Sequence, residues 1–494
     1  MRATSLVPRA LAVVLASLGV ATAGAQRPNA TINAKSDAAA GATPLDPALR
    51  RAIDSVFAPY DRLDSPGCNL GVIRDGRLVY QRGYGMASLE QSVPIGAETV
   101  FDIGSTSKQF TATSIVLLAQ RGKLSIDDEV QKYIPELPRY QAPVTIRHLL
   151  THTSGIRDYI GLMVWEGFRI EDVSTAADAL EAITRQRALN FTPGSEYLYS
   201  NSGYFLLGQI VERVSKQRLK DFARENIFLP LEMHDTQILD DHLRVIAHKA
   251  GSYDPISGGG WAINMSNWEQ TGDGAVQTTV ADLAKWDANF YSAKVGGRAL
   301  VDTLQHVGTL TTGAPMNYAM GLMVDHWRGV RRVAHGGSWA AFTAELLRFP
   351  DQRASVITLC NSGSASAPTL AQRVADRYLP TIAQLQPEAP AEKRPPRQAD
   401  TAAAGSPLSA ADLARVAGTY YSPELDVTWT LAPVNGGLVL RQRRNPESKL
   451  EPRGADTFRA PGLTLHIEHD QSGEVSGFTI SAGRVRGIRF ARKP

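Results

Sequence analysis

The sequence predicts an α+β fold: an antiparallel sheet drawn from two distant stretches of chain, a helical insertion between them, and a small all-β domain of short strands after them. Three observations predict it. Strand-like runs at Leu70 to Arg74 and Leu78 to Tyr84 flank Asp75-Gly76, a strong hairpin signal. Helical patterning dominates from Thr106 to about Trp286, and strand-like runs return at Arg331 to His335, Thr343 to Phe349 and Ala354 to Leu359. Beyond a stretch rich in Pro, Ala and Gln, short strand patterns alternate with turns at Asn435-Gly436-Gly437, Asp470 to Gly473 and Ala482-Gly483.

The chain, at 494 residues, is too long for one ordinary core. Arg2 and Arg9 precede the apolar run Leu11 to Val20, and Ala23-Gly24-Ala25 supplies a small-residue cleavage site. Residues 1–25 therefore read as a secretory signal peptide, which places the mature protein in the periplasm or outside the cell. The run is too short to make a stable membrane span. Neither a twin arginine nor a cysteine near the cut points to the Tat route or to a lipoprotein. Residues 26–46 read as a flexible segment, 47–380 as the main domain, 381–407 as a linker and 408–494 as a small all-β domain.

Three short motifs carry the chemistry, each present once: Ser105-Thr106-Ser107-Lys108, Tyr199-Ser200-Asn201 and His335-Gly336-Gly337. The pattern Phe110, Ala112, Ile115, Val116, Leu118, Ala119 starts a helix just after Ser105. Free N–H groups and the helix dipole there favour developing negative charge on Ser105. Lys108 lies one turn on, on the same face. Desolvated, it can lose its charge and take the serine proton. Tyr199, as phenolate beside Lys108, is a second candidate for that proton. Asn201 can hold a substrate amide or the lysine. Gly336 and Gly337 clear side chains from a backbone edge, so the N–H groups of Ser105 and Ser338 can form an oxyanion pair. This is equipment for acyl transfer through a covalent serine intermediate.

These motifs resemble those of the serine β-lactamase-related hydrolases: class C β-lactamases, D-alanyl-D-alanine carboxypeptidases, D-aminopeptidases and family VIII esterases. The likeness extends to Leu149-Leu150-Thr151-His152-Thr153-Ser154-Gly155, Phe191-Thr192-Pro193-Gly194, Gly272-Asp273-Gly274 and His335-Gly336-Gly337-Ser338-Trp339. It implies a β-lactamase/transpeptidase-like domain, and the tail resembles the lipocalin-like barrel appended to some members. It also implies Ser105, Lys108, Tyr199, Asn201 and His335 as catalytic residues, with Gly336, Gly337 and Ser338 binding substrate and oxyanion. In the β-lactamases the third motif usually starts with lysine. Histidine there favours D-amino-acid peptides and amides, or small esters, over β-lactams. The alternatives are a β-lactamase, a non-catalytic peptidoglycan-binding relative, or a scaffold. His152 and Asp158 invite a Ser-His-Asp assignment, but Lys108 and Tyr199 already fill the base role, so His152 is expected to be structural.

The remaining features narrow the partners. With 52 basic against 49 acidic residues, net charge +3 and no basic run interleaved with aromatics, nucleic acid is not an expected partner. The expected partner is a small-molecule or peptide substrate. No His-Glu-x-x-His and no Cys/His cluster is present, so no metal or cofactor is expected. There is also no Gly-x-Ser-x-Gly elbow of the α/β-hydrolases. The basic residues of the tail, Arg441, Arg443, Arg444, Arg484, Arg486, Arg489, Arg492 and Lys493, are expected to face solvent. No ligand motif marks the barrel, so gating of the site or oligomer assembly is expected of it. Ile156 to Val173 and Ser257 to Asp273, with Trp165, Trp261 and Trp268, are expected to form the cleft rim. Cys68 and Cys360 are the two cysteines. The resemblance places their strands side by side and export permits a disulfide, but buried free thiols are the default expectation.

Overall fold

The computed structural model describes residues 45–379, 409–454 and 456–494. The segments read as signal peptide (1–25) and linker (381–407), and nearly all of 26–46, lie outside the described residues. The central sheet has six antiparallel strands, in the order Met323–Trp327, Val330–Trp339, Phe342–Phe349, Ala354–Cys360, Cys68–Arg74, Arg77–Tyr84. The five strand runs read from the sequence are all in it. Val330–Trp339 is longer than expected and carries the whole His335-Gly336-Gly337 motif into the sheet. The sheet closes by pairing Cys68–Arg74 with Ala354–Cys360, in a register that sets Cys68 opposite Cys360. Those two residues are disulfide-bonded, which corrects the expectation of free thiols. Strands distant in sequence but adjacent in the sheet bring the two sulfurs together.

Helices cover both faces. Pro47–Phe57 and Ala367–Tyr378 pack on one face, stapled by Ile53, Val56, Phe57, Leu370 and Val374, all at 4% exposure or less. The other face is covered by Val280–Ser292 and abutted by the turn Gly104–Ser107; the helix that follows this turn, Lys108–Gln120, is buried continuously from Lys108 to Leu118 and so presents no stripe to solvent. Asn201–Ser215 and Val280–Ser292 pack around it. The arrangement makes Lys108–Gln120 the axis of the domain and holds its first turn rigidly.

The tail forms a closed barrel of eight antiparallel strands between Gly418–Ser422 and Val485–Arg492. Its interior is packed with aromatics: Trp429 on Phe490 at 4.4 Å, Phe490 on Phe478 at 4.8 Å, and Phe478 on Tyr420 at 4.8 Å. The barrel is seated on the main domain by a buried ion pair, Arg157 to Glu424 at 2.8 Å. Arg157 also donates to the carbonyls of Arg486 and Gly487. Trp165, expected at the cleft rim, packs edge-on against Trp429 of the barrel instead, because the helix Tyr159–Glu166 turns that face to the barrel. Arg484, Arg486 and Arg444 likewise face the main domain rather than solvent alone, Arg486 reaching Glu196 and Arg444 reaching Asp172. Among the described residues no helix is long and apolar enough to cross a membrane.

Candidate active site

One turn of 3₁₀ helix, Gly104–Ser107, feeds the helix Lys108–Gln120 and presents Ser105 to a cavity of about 580 Å³. Two side chains pin the turn. Thr106 Oγ1 donates to the His335 carbonyl at 3.0 Å, and Ser107 Oγ accepts from the Val276 N–H at 3.1 Å. Gly104 has φ +47°, and a Cβ there would lie 2.7 Å from the Ser338 nitrogen. A Cβ on Gly337 would lie 1.9 Å from the Ile103 carbonyl oxygen and 3.0 Å from the Ser105 nitrogen. Only glycine at these two positions lets the strand backbone abut the serine turn. The backbone nitrogens of Ser105 and Ser338 thereby come to the same junction, and both residues line the cavity.

Lys108 is fully buried and its Nζ makes three hydrogen bonds: to Ser105 Oγ at 3.1 Å, Asn201 Oδ1 at 2.9 Å and the Asp273 carbonyl at 2.6 Å. Burial lowers its pKa to about 8, against the opposing pull of Asp273 and Asp158, and the Arg484 charge pushes it down further. Burial raises the Asp273 carboxyl, which accepts from the Tyr159 hydroxyl at 3.1 Å. Asn201 starts the helix Asn201–Ser215, and its amide is oriented from both ends. The oxygen faces Lys108, while Nδ2 donates to Asp158 Oδ2 at 2.9 Å. The same carboxylate oxygen accepts from the Asn201 N–H at 2.7 Å, where the helix dipole favours an anion.

Tyr199 lies with its ring centroid 4.9 Å from Lys108 Nζ. Its hydroxyl is buried and, among the described residues, without a hydrogen-bond partner of normal geometry, though Ser105 is near enough to favour the phenolate. Burial outweighs that pull and holds the phenol well above its ordinary pKa. The phenolate expected beside Lys108 is therefore disfavoured, and Lys108 is the group whose proton affinity suits a base near neutrality. His335 is buried, with Nε2 at 2.9 Å from the Tyr318 hydroxyl and Nδ1 at 2.6 Å from the Gly336 carbonyl. Burial, helped by the Lys108 charge, lowers its pKa to about 3, so the imidazole is neutral.

His152 and Asp158 do not form a relay with Ser105. His152 Nδ1 accepts from the Ser200 N–H at 3.1 Å, and its ring packs 4.1 Å from Tyr199 and 4.5 Å from Tyr318. It braces the tyrosine cluster, as expected. The cavity is lined by all eight sequence-chosen residues except Lys108, which lies just beneath it bonded to Ser105. Trp268 lines it and packs 5.7 Å from Trp339. Trp261 does not; its indole donates to the Asp64 carbonyl. Tyr318 and Arg484, which no sequence motif marks, also line the cavity, as does Asp158, which the sequence suggests only as a triad partner. A grouping that could hold a metal ion, Asp241, His242 and Glu269, has ligand atoms within 4.8 Å of one another, and none of the three lines the cavity.

The Beta-lactamase family model matches residues 53–379, and the chain belongs to that family of serine hydrolases of the β-lactamase fold. Penicillin-binding protein 4* of Bacillus subtilis (strain 168) is 30% identical over 303 residues, covering 58% of this chain and 66% of its own length. A D-aminopeptidase of Cereibacter sphaeroides is 29% identical over 329 residues, covering 65% of this chain and 62% of its own. The chain thus spans less than two thirds of the length of either relative. Among solved structures, the octameric penicillin-binding protein homologue from Pyrococcus abyssi aligns with TM-score 0.60 at 23% identity, over 90% of this chain and 99% of that one. A D-amino acid amidase from Ochrobactrum anthropi aligns with TM-score 0.56 at 22% identity, over 68% of this chain and 99% of its own. These two likenesses concern the fold.

Proposed function

We propose that the chain is an exported serine hydrolase that cleaves amide or ester bonds of D-amino-acid peptides, D-amino-acid amides or small esters through an acyl-enzyme on Ser105. One observation carries the reading: buried Lys108 is hydrogen-bonded to Ser105 at the floor of an open cavity, beside the glycine edge of the sheet. Neutral Lys108 takes the Ser105 proton as Oγ attacks the carbonyl. The tetrahedral oxyanion sits between the N–H groups of Ser105 and Ser338. The proton then passes to the leaving group, with the Tyr199 hydroxyl placed to relay it, and water releases the acyl group by the reverse path. Asn201 holds Lys108 and His335 serves as a neutral polar wall. D-aminopeptidases among the relatives support D-amino-acid substrates, and the disulfide supports an oxidising compartment.

The reading is tested with a panel of D-alanine anilide, short-chain nitrophenyl esters and nitrocefin, run beside Ser105→Ala. Turnover of esters or D-amino-acid amides above nitrocefin, lost in Ser105→Ala, is expected. Nitrocefin as the best substrate by far would instead favour a β-lactamase. Identical behaviour of mutant and wild type would favour a binding or scaffold role.

A further inference from the structure

The cavity contains one cation that the main domain does not supply. Arg484 sits in the two-residue turn between the barrel strands Val475–Ala482 and Val485–Arg492, and its side chain lines the cavity with Ser105 and Tyr199. The turn is held from both sides. The Arg484 carbonyl accepts from Asn190 Nδ2 at 2.8 Å, and Asn190 Oδ1 accepts from the Arg486 N–H at 2.9 Å. Arg157 donates to the Arg486 and Gly487 carbonyls at 2.9 and 3.1 Å. A backbone gripped at successive residues fixes where the guanidinium emerges.

The guanidinium stacks 4.6 Å over the Tyr199 ring. Its nearest carboxylate is Asp158, at 3.7 Å and outside hydrogen-bond range. Asp158 Oδ2 is already engaged by the Asn201 N–H and Nδ2. Among the described residues Arg484 donates no hydrogen bond, and its side chain is 47% exposed and lines the cavity. The fork lies over the ring with only a loose ion pair to Asp158, at 3.7 Å, and no hydrogen bond among the described residues, an arrangement suited to bidentate capture of a carboxylate. His335, neutral and tied to Tyr318, cannot supply that charge.

We infer that Arg484, delivered by the barrel, is a specificity-determining residue that binds a free carboxylate of the substrate. The inference rests on the hydrolase reading and narrows it. Substrates carrying a carboxylate near the scissile bond are favoured, and those with a free ammonium at the same place are repelled. The barrel then completes the substrate site.

The test uses matched pairs that differ only in the anion: N-acetyl-D-alanyl-D-alanine against its C-terminal amide, and the nitrophenyl ester of succinate against that of butyrate. Wild type should prefer the carboxylate member of at least one pair. In Arg484→Ala the ratio of kcat/KM within that pair should fall about tenfold to hundredfold, mainly through KM, the size of a charged hydrogen-bonded contact. Arg484→Lys should keep part of the preference, and Arg484→Glu should reverse it. Thermal melts establish that each variant is folded. A preference absent from wild type, or unchanged in Arg484→Ala, overturns the inference. If no pair is turned over, binding of N-acetyl-D-alanine and of its amide to Ser105→Ala, with and without Arg484→Ala, is measured by calorimetry. Carboxylate-selective binding that depends on Arg484 would then fault the hydrolase reading alone. Turnover without any carboxylate preference would fault the present inference alone.

Discussion

Substituting Gly337 by alanine probes the junction on which the site is built. The added Cβ would lie 1.9 Å from the Ile103 carbonyl oxygen, a backbone atom that cannot rotate away. Ordinary non-bonded contact needs roughly 3.5 Å, so strand and serine turn must part by more than about 1 Å. The displaced parts carry the Ser105 and Ser338 N–H groups. A misplacement of about 1 Å at a reacting centre lowers rates roughly 10²-fold, and loss of one oxyanion donor lowers them about 10²- to 10³-fold. Gly337→Ala should therefore lower kcat/KM for a nitrophenyl ester at least about 10²-fold and slow fluorophosphonate labelling in parallel. Gly336→Ala is the comparison. Its Cβ would meet the Glu345 carboxylate at 2.7 Å, the end of a side chain that can give way, so the loss should be much smaller. A folded Gly337→Ala protein with activity within threefold of wild type would refute the reasoning about the glycine edge, because that steric conflict would then have been relieved without disturbing the oxyanion donors.

Further outcomes follow from the same geometry. With Lys108 near pKa 8 and active only when neutral, kcat/KM should rise with pH through about 8. A flat profile from pH 6 to 9 would contradict the assignment, and Lys108→Arg, which stays charged, should lose about 10³-fold or more. His335, at about 3, should add no ionisation to the profile between pH 5 and 9. Arg157→Ala strips the buried Glu424 carboxylate of its partner and should cost about 3–5 kcal/mol in a denaturant titration. A change below about 1 kcal/mol would mean the pair is not what seats the barrel. Replacing Cys68 and Cys360 together by alanine should lower stability by about 2–5 kcal/mol, read by thermal and chemical melts of the oxidised protein against the double variant.

The parts of the candidate site legible in the sequence are local groupings. Ser105 and Lys108 are one turn apart on a single helix start, Tyr199 and Asn201 straddle another, and Gly336 to Ser338 form one strand edge, so spacing alone groups each set. The sheet was legible for a similar reason, since hairpin signals and strand-like runs survive without tertiary information. What escaped depends on contacts between distant segments. Arg484 reads as one more surface arginine until the barrel turn is laid against Asp158 and Tyr199, 285 residues away along the chain for the latter. Asp158 reads from the sequence only as a triad partner; its neighbours, the backbone and amide of Asn201, follow from helix packing. Trp165 sits in a stretch without clean periodicity, and the barrel face that claims it cannot be read locally. Ranking Lys108 above Tyr199 as the proposed base rests on burial, which lowers one affinity for protons and raises the other.

The central claim is that Ser105 is an activated nucleophile. It is tested most directly by the intact mass of the protein after a fluorophosphonate probe, beside Ser105→Ala. The account predicts one equivalent of label on wild type, mapped to Ser105, and none on the mutant. Label carried equally by both proteins, or an unlabelled wild type whose cavity is open to the probe, would contradict it.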